Sequence, residues 1–295
     1  MKFAAIDVGS NAVRLLLSIV SEESREPIFE KVSLFRMPIR LGDDAFARGK
    51  ISEEKIQHLV NTLTGFRYLM DAYSPLDYMA CATSAMREAE NRDEIVQRIK
   101  NSSGIDLDII DGSKEAEIIY SNRIEKFLDG GKAYLYIDVG GGSTEITLFD
   151  NKKIIDSNSF NIGTIRLLEG LVSKNEWKEM KNWIKDVTAD YQQISAVGSG
   201  GNMNKLFDLA NKKYGKPLKY KKLMKVYDYL SNFTYEERII QLGLKPDRAD
   251  VILPASKIYL SAMKWGDISK IYVPKSGLAD GMIHVLYKKH KKYYV

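Results

Sequence analysis

The chain has 295 residues, 44% hydrophobic and 28% charged, with 21 Gly and 7 Pro, a composition that excludes collagen-like and largely disordered chains. That length fits about two domains of roughly 150 residues, burying about three quarters of the extended chain's surface. The net charge of +5 suits an anionic partner but is too small to argue nucleic acid; its excess gathers at the end, in Lys288, Lys289, Lys291 and Lys292 around His290.

The first nine residues hold one Lys and a short apolar run that Asp7 interrupts, so no signal-peptide core forms. No later stretch of about eighteen residues is free of charge, and the expectation is a cytoplasmic protein away from membranes. Strands are expected over 3–6, 12–20 and 27–35, a three-strand meander. Ser52 is placed to cap a helix whose apolar positions Ile56, Leu59, Val60, Leu63, Phe66 and Met70 keep helical spacing. Buried strands follow over 78–82 and 107–110, then a helix over 113–127 with Ser113 as its cap. A second meander is expected over 133–137, 145–149 and 153–160, turning at 150–152. Helices from Gly163 and around 177–184, a strand at 194–197 and a helix after Asn202 come next. Helices over 220–242 and 248–265, a strand at 270–273 and a helix over 278–287 complete the chain.

The segments Ala5-Ile-Asp7-Val-Gly9-Ser-Asn11 and Tyr136-Ile-Asp138-Val-Gly140-Gly-Gly-Ser143 repeat one another, with their aspartates 131 positions apart. The fold class expected is therefore α/β, with two duplicated domains and a cleft between them. Residues 1–122 form the first domain and 123–295 the second, with a last helix free to pack back on the first. The join falls near Asp129-Gly130-Gly131. An aspartate at a strand end, then glycines, then a hydroxyl residue supplies one carboxylate for a cation and several N–H groups for an anion, a phosphate-and-magnesium device. A third glycine loop, Gly198-Ser-Gly200-Gly-Asn202, can present N–H groups at a helix N-terminus or serve as a plain tight connection. Cys81 is the only cysteine, which excludes an internal disulfide; with three histidines in the chain it argues against zinc, so a metal is expected to be a hard cation held by oxygen. Glu115 falls in the first turn of its helix, where a glutamate often merely complements the dipole, and Glu117 lies about 200° around that helix.

The two turns, together with Asp7 to Arg14, Arg40-Leu-Gly42, Ala82 to Asn91, Glu115-Ala116, Asp138 to Glu145, Ile162 to Leu167 and Arg248 to Pro254, resemble the exopolyphosphatase and guanosine pentaphosphate phosphohydrolase family. That family is part of the actin, heat-shock chaperone and sugar kinase superfamily, whose domains are actin-like (ribonuclease H-like). The resemblance spans most of the chain and implies hydrolytic, magnesium-dependent (or manganese-dependent) release of terminal phosphate from inorganic polyphosphate. It implies Glu115 as the base, Arg87 as a phosphate-gripping arginine, and Asp138 with Asp7 and Glu145 as metal-handling carboxylates. Gly140, Gly141, Gly142 and Ser143 would cradle phosphate, with Ser10 and Asn11 opposite and Gly198 and Gly200 contributing. Arg14, Arg40 and Arg166 would line the polyanion path, although a structural ion pair accounts nearly as well for Arg40 and Arg166.

Two departures from the family pattern are Lys114 before the glutamate and Ala279 where an arginine is usual in Gly277-Leu-Ala-Asp-Gly281. The end at Val295 resembles the short, two-domain form. Guanosine pentaphosphate is the alternative substrate, and a homodimer is an allowed assembly. An ATP-dependent kinase using loop 198–202, or a non-catalytic nucleotide or polyphosphate sensor, are the other readings.

Overall fold

The structure, a computed structural model, describes residues 1–23, 26–121, 132–151 and 153–291. The expected join at 129–131, the end of the helix expected over 113–127, and Lys292 lie outside the described residues. The chain divides into two compact units, Met1–Asn122 with Ser276–Val295, and Arg123–Lys275.

In the first unit, β1 (Lys2–Val8), β2 (Val13–Ser21) and β3 (Ile28–Met37) form an antiparallel meander. β4 (Asp77–Ala82) then pairs parallel to β1, and β5 (Asp108–Ile109) parallel to β4, giving the order β3-β2-β1-β4-β5. Between the strands run α1 (Leu41–Arg48), α2 (Glu53–Tyr73), α3 (Ser84–Glu88) and α4 (Arg92–Ser103), followed by α5 (Gly112–Tyr120). The six apolar positions expected of α2 are its buried residues, and they meet Ile6, Leu15 and Ile99 in one core. Ser52 holds the N-cap position of α2, but its hydroxyl does not cap the helix: its side chain and its backbone N–H both donate to Asp44.

In the second unit, β6 (Ala133–Val139), β7 (Thr144–Asp150) and β8 (Lys153–Phe160) repeat the meander. α6 (Thr164–Leu168) and α7 (Lys174–Thr188) lead to β9 (Ile194–Ser199), parallel to β6. Then come α8 (Gly201–Leu209), β10 (Leu218–Lys219), α9 (Tyr220–Ser231), α10 (Tyr235–Ile240), α11 (Pro246–Ala249) and α12 (Ile252–Trp265). β11 (Lys270–Tyr272) completes the order β10-β11-β9-β6-β7-β8. The duplication extends to an irregularity: the register slips between Leu17 and Ser18 in one meander and between Leu148 and Phe149 in the other, again 131 positions on.

Two expectations change. The helical pattern over 220–242 breaks at Thr234, whose hydroxyl accepts from the Glu237 amide while Glu237 accepts from the Thr234 amide, a capping box that starts a new helix. The cap of α5 is Asp111 rather than Ser113, because the Asp111 carboxylate accepts from the Lys114 N–H at 2.7 Å. The last helix, α13 (Leu278–Lys291), packs on β1, β2, β4 and α5 and so groups with the first unit. Among the described residues no helix is long and apolar enough to cross a membrane.

Candidate active site

The loop after β6 has its shape fixed by carbonyl groups. Gly140 C=O accepts from Thr164 N at 3.0 Å, Gly141 C=O from Ile165 N at 2.8 Å, and Gly142 C=O from Arg166 Nε at 2.7 Å. A planar trans peptide points its N–H opposite to its C=O. With three successive carbonyls turned toward α6, the amides of Gly141, Gly142 and Ser143 are turned the other way, a row of donors suited to a phosphate oxygen. Gly163 makes this possible: a Cβ there would stand 2.3 Å from Gly141 O. Thr144 Oγ1 donates to the Ile162 carbonyl and pins the far side of the same loop.

Beside those amides stand two acids. Asp138 and Glu145 are directly opposite in the β6–β7 ladder, so both carboxylates leave the sheet on one face. Ser159, next across on β8, donates to Glu145 Oε1 at 3.0 Å, and Ser199 of β9 lies beyond Asp138. Tyr259 is fully buried behind them and donates its hydroxyl to the Ser199 carbonyl. Burial first, then the Asp138 and Glu145 charges, push its phenol well above the ordinary value, so it stays a neutral donor.

The loop after β1 copies the backbone and changes the chemistry. Gly9 N–H bonds Ala12 O at 3.2 Å as Gly140 N–H bonds Ser143 O at 2.9 Å. Ser10 and Asn11 carbonyls accept from Gly42 N and Arg40 N. Yet the partner opposite Asp7 is Arg14, where the second copy has Glu145, and Arg14 Nη1 meets Asp7 Oδ2 at 2.5 Å. Register sets Arg36, Arg14, Asp7, Cys81 and Asp108 side by side across all five strands. One copy therefore carries an arginine-containing row and the other an acidic one.

Glu115 joins the first row. It is a buried residue of α5, close enough to Cys81 to help push that thiol up to about 12, after burial, Asp108 and Asp7. Glu117 instead lies exposed and pairs with Lys114 at 2.8 Å, which also occupies the unusual lysine. Arg87, at the end of α3, donates through Nη1 to Ile110 O at 2.8 Å, just ahead of the Asp111 cap. Ser10 and Ser84 hydroxyls share a buried hydrogen bond of 2.9 Å, tying the first loop to the start of α3.

Of the expected residues, then, Ser10, Asn11, Arg14, Asp7, Arg87 and Glu115 belong to the first unit, and Asp138, Gly140 to Ser143, Glu145, Gly198 and Gly200 to the second. Arg40 chelates Asp43 at 2.8 and 3.1 Å, and Arg166 buttresses its own loop. Gly198 is packed: a Cβ would lie 2.7 Å from Ile271 Cδ1. Gly200 sits at φ +97°, where a Cβ would lie 3.1 Å from Asp138 Oδ1, and a Cβ on Gly201 would meet the Arg248 guanidinium at 2.9 Å. Sequence reasoning missed Arg36, Ser159, Gly163 and Tyr259. The alternation of β8 could have placed Ser159 beside Glu145; Tyr259 carried only the signature of a core aromatic.

A family model for the Ppx/GppA phosphatase family matches residues 18–290. The bifunctional 3-dehydroquinate synthase/phosphatase of Fusobacterium nucleatum is 29% identical over 284 residues, 85% of this chain but only 41% of that protein's length. A putative exopolyphosphatase of Haemophilus influenzae is 23% identical, over 97% of this chain and 92% of its own. Among solved structures, the Ppx/GppA family member of Aquifex aeolicus superposes with a TM-score of 0.78 at 25% identity, covering 98% of both chains.

Proposed function

Since the chain belongs to the Ppx/GppA phosphatase family, we propose that it hydrolyses the terminal phosphoanhydride bond of inorganic polyphosphate with the help of magnesium or manganese. The observation that carries this reading is the row of three loop amides, Gly141 to Ser143, beside the Asp138 and Glu145 carboxylates. The name of the Haemophilus relative supports polyphosphate over guanosine pentaphosphate as the substrate.

The donor set suits such an ion. Magnesium commonly takes one or two carboxylates and completes its shell with water and substrate phosphate oxygens. Asp138 and Glu145, two acids side by side on one sheet face, are such a pair. Asp7, expected among the ligands, is engaged by Arg14 and drops out of the set in this reading. When bound, the ion offsets the negative charge of the phosphate oxygens.

In the reaction a water oxygen bonds to the terminal phosphorus, the bridging P–O bond breaks, and orthophosphate leaves with a chain shorter by one unit. By the resemblance to that family, Glu115 is the base that takes the proton from that water. The amides of Gly141, Gly142 and Ser143 receive the oxygens on which charge develops, being fixed in advance by the bonds to α6. Arg87, with one nitrogen committed to Ile110, presents the rest of its planar fork to phosphate. Tyr259 keeps the wall behind Asp138 neutral.

The test is phosphate release from polyphosphate of defined length, with and without magnesium, in competition with guanosine pentaphosphate. Magnesium-dependent release with the higher specificity constant on polyphosphate is expected. A higher constant on guanosine pentaphosphate overturns the substrate, and saturable binding without turnover overturns the enzyme.

A further inference from the structure

The late glycine motif Gly277-Leu-Ala-Asp-Gly281 has no task in the reaction just described, yet it occupies the place where α13 meets α5, the helix that carries Glu115. A Cβ on Gly281 would stand 2.1 Å from the Ile118 carbonyl oxygen, 2.8 Å from its carbonyl carbon and 2.9 Å from its Cγ2. Gly281 lies inside a helix, so the demand is for space, not for an unusual conformation. Two backbones touch there, and only a residue without a side chain lets them.

The glycine-bearing side of this crossing is firmly anchored. Asp280 accepts from the Gly277 amide at 3.0 Å and pairs with Lys31 of β3 at 2.7 Å. Farther along, His284 stacks on Phe29 at 3.7 Å, Tyr287 donates to Glu22, and Lys289 and His290 both reach Asp77 at 2.8 Å. The start of α5 is held separately, by Arg87 on the Ile110 carbonyl and by the Ile110 amide on Ala82 O. Ile118, three residues after Glu115, rests against Gly281, so the tilt of α5 about its fixed start is set by how closely α13 approaches.

We infer that Gly281 is a positioning residue for Glu115: by admitting backbone contact at Ile118 it seats α5, and with it the carboxylate. Asp280 and Gly281 perform this task, and neither needs an arginine at position 279, where the side chain of Ala279 is buried. The inference rests on the reading of Glu115 as the base.

The test is a double-mutant cycle in the full chain, read by kcat and KM for phosphate release and by hydrogen exchange of the α5 amides. Gly281→Ala moves α5 by about 1 Å, for which a kcat loss of about 100-fold is expected, with KM held within about threefold. In a Glu115→Gln background the same change should cost nothing further, because a group that acts through the carboxylate is idle once that carboxylate is gone. Wild-type kcat in Gly281→Ala, or an equal loss in both backgrounds, overturns the inference. If Glu115→Gln itself turns over normally, the base reading fails separately, and exchange decides the placement: faster exchange confined to α5 in Gly281→Ala supports it, and unchanged exchange overturns it. Should Gly281→Ala not fold, Asp280→Asn loosens the same anchor without a clash. A kcat loss of about two- to fivefold that vanishes in the Glu115→Gln background is then expected, and the same loss in both backgrounds overturns the inference.

Discussion

Replacing Gly163 by alanine tests whether the second loop is a preformed phosphate cradle. Its φ of −125° is open to any residue, so only contact matters. The new Cβ would meet Gly141 O at 2.3 Å and the carbonyl carbons of Gly141 and Gly142 at 2.4 Å. Ordinary contact begins near 3.4 Å, so loop and α6 must part by about 1 Å, backbone from backbone, with no flexible side chain to yield. That separation stretches the bonds from Thr164, Ile165 and Arg166, now 3.0, 2.8 and 2.7 Å long, each worth about 1 kcal/mol net. With overpacking, the stability loss should be about 2–4 kcal/mol, a fall in Tm of roughly 5–12 °C. The same movement re-aims the three amides. Loss of one charge-assisted contact to phosphate, about 1.5–3 kcal/mol, raises KM for polyphosphate by roughly 10- to 100-fold. Thermal unfolding and steady-state phosphate release on the purified variant check both numbers. A Gly163→Ala protein with wild-type Tm and KM would refute the argument that this loop is held by close approach to α6.

Three further residues of the first unit give testable outcomes. Gly65 lies inside α2 with nothing within 4 Å of a Cβ, so Gly65→Ala should stabilise the protein by about 0.5–1 kcal/mol in chemical denaturation and leave phosphate release unchanged. Cys81 is buried with its thiol pushed up to about 12, so a thiol reagent at pH 8 should find no reactive group in the native chain and one after unfolding. Because the neutral thiol is favoured by folding, its contribution to stability is complete below pH 9 and is lost as pH rises from about 9 to about 12, a component that Cys81→Ala should remove from the pH–stability curve. Burial alone would raise the Asp77 carboxyl, but bonds from Lys289, His290 and the Tyr78 amide outweigh it and hold the group below 3.8. Asp77→Asn should therefore destabilise at pH 7, by about 1 kcal/mol for this partly exposed cluster, and the difference from wild type should shrink as pH falls below 3.8.

The two glycine turns were legible because a strand ending in Asp, then Gly, then a hydroxyl residue is a local pattern, and repeating it after 131 residues fixes both meanders at once. Helix α2 was legible from its apolar stripe, whereas α4 buries only Ile95, Ile99 and Ser103 among charged residues and gave no comparable signal. Helix α1 starts from Arg40 in a left-handed conformation, φ 57°, which nothing in its residue type announces. The cap of α5 went to Asp111 over Ser113 because the earlier carboxylate reaches the Lys114 amide, a choice between two good caps that spacing alone does not make. What stayed hidden was long-range. The row from Arg36 to Asp108 exists only once five strands are in register, with a bulge before it, and the crossing of Gly281 on Ile118 joins residues 163 positions apart.

The most direct measurement compares wild type with Glu115→Gln on polyphosphate of defined length in magnesium, reading turnover and binding on the same preparations. The account predicts a fall in kcat of about 100- to 10,000-fold, the usual worth of a general base, with polyphosphate still bound at wild-type affinity. Turnover within a few-fold of wild type would contradict it.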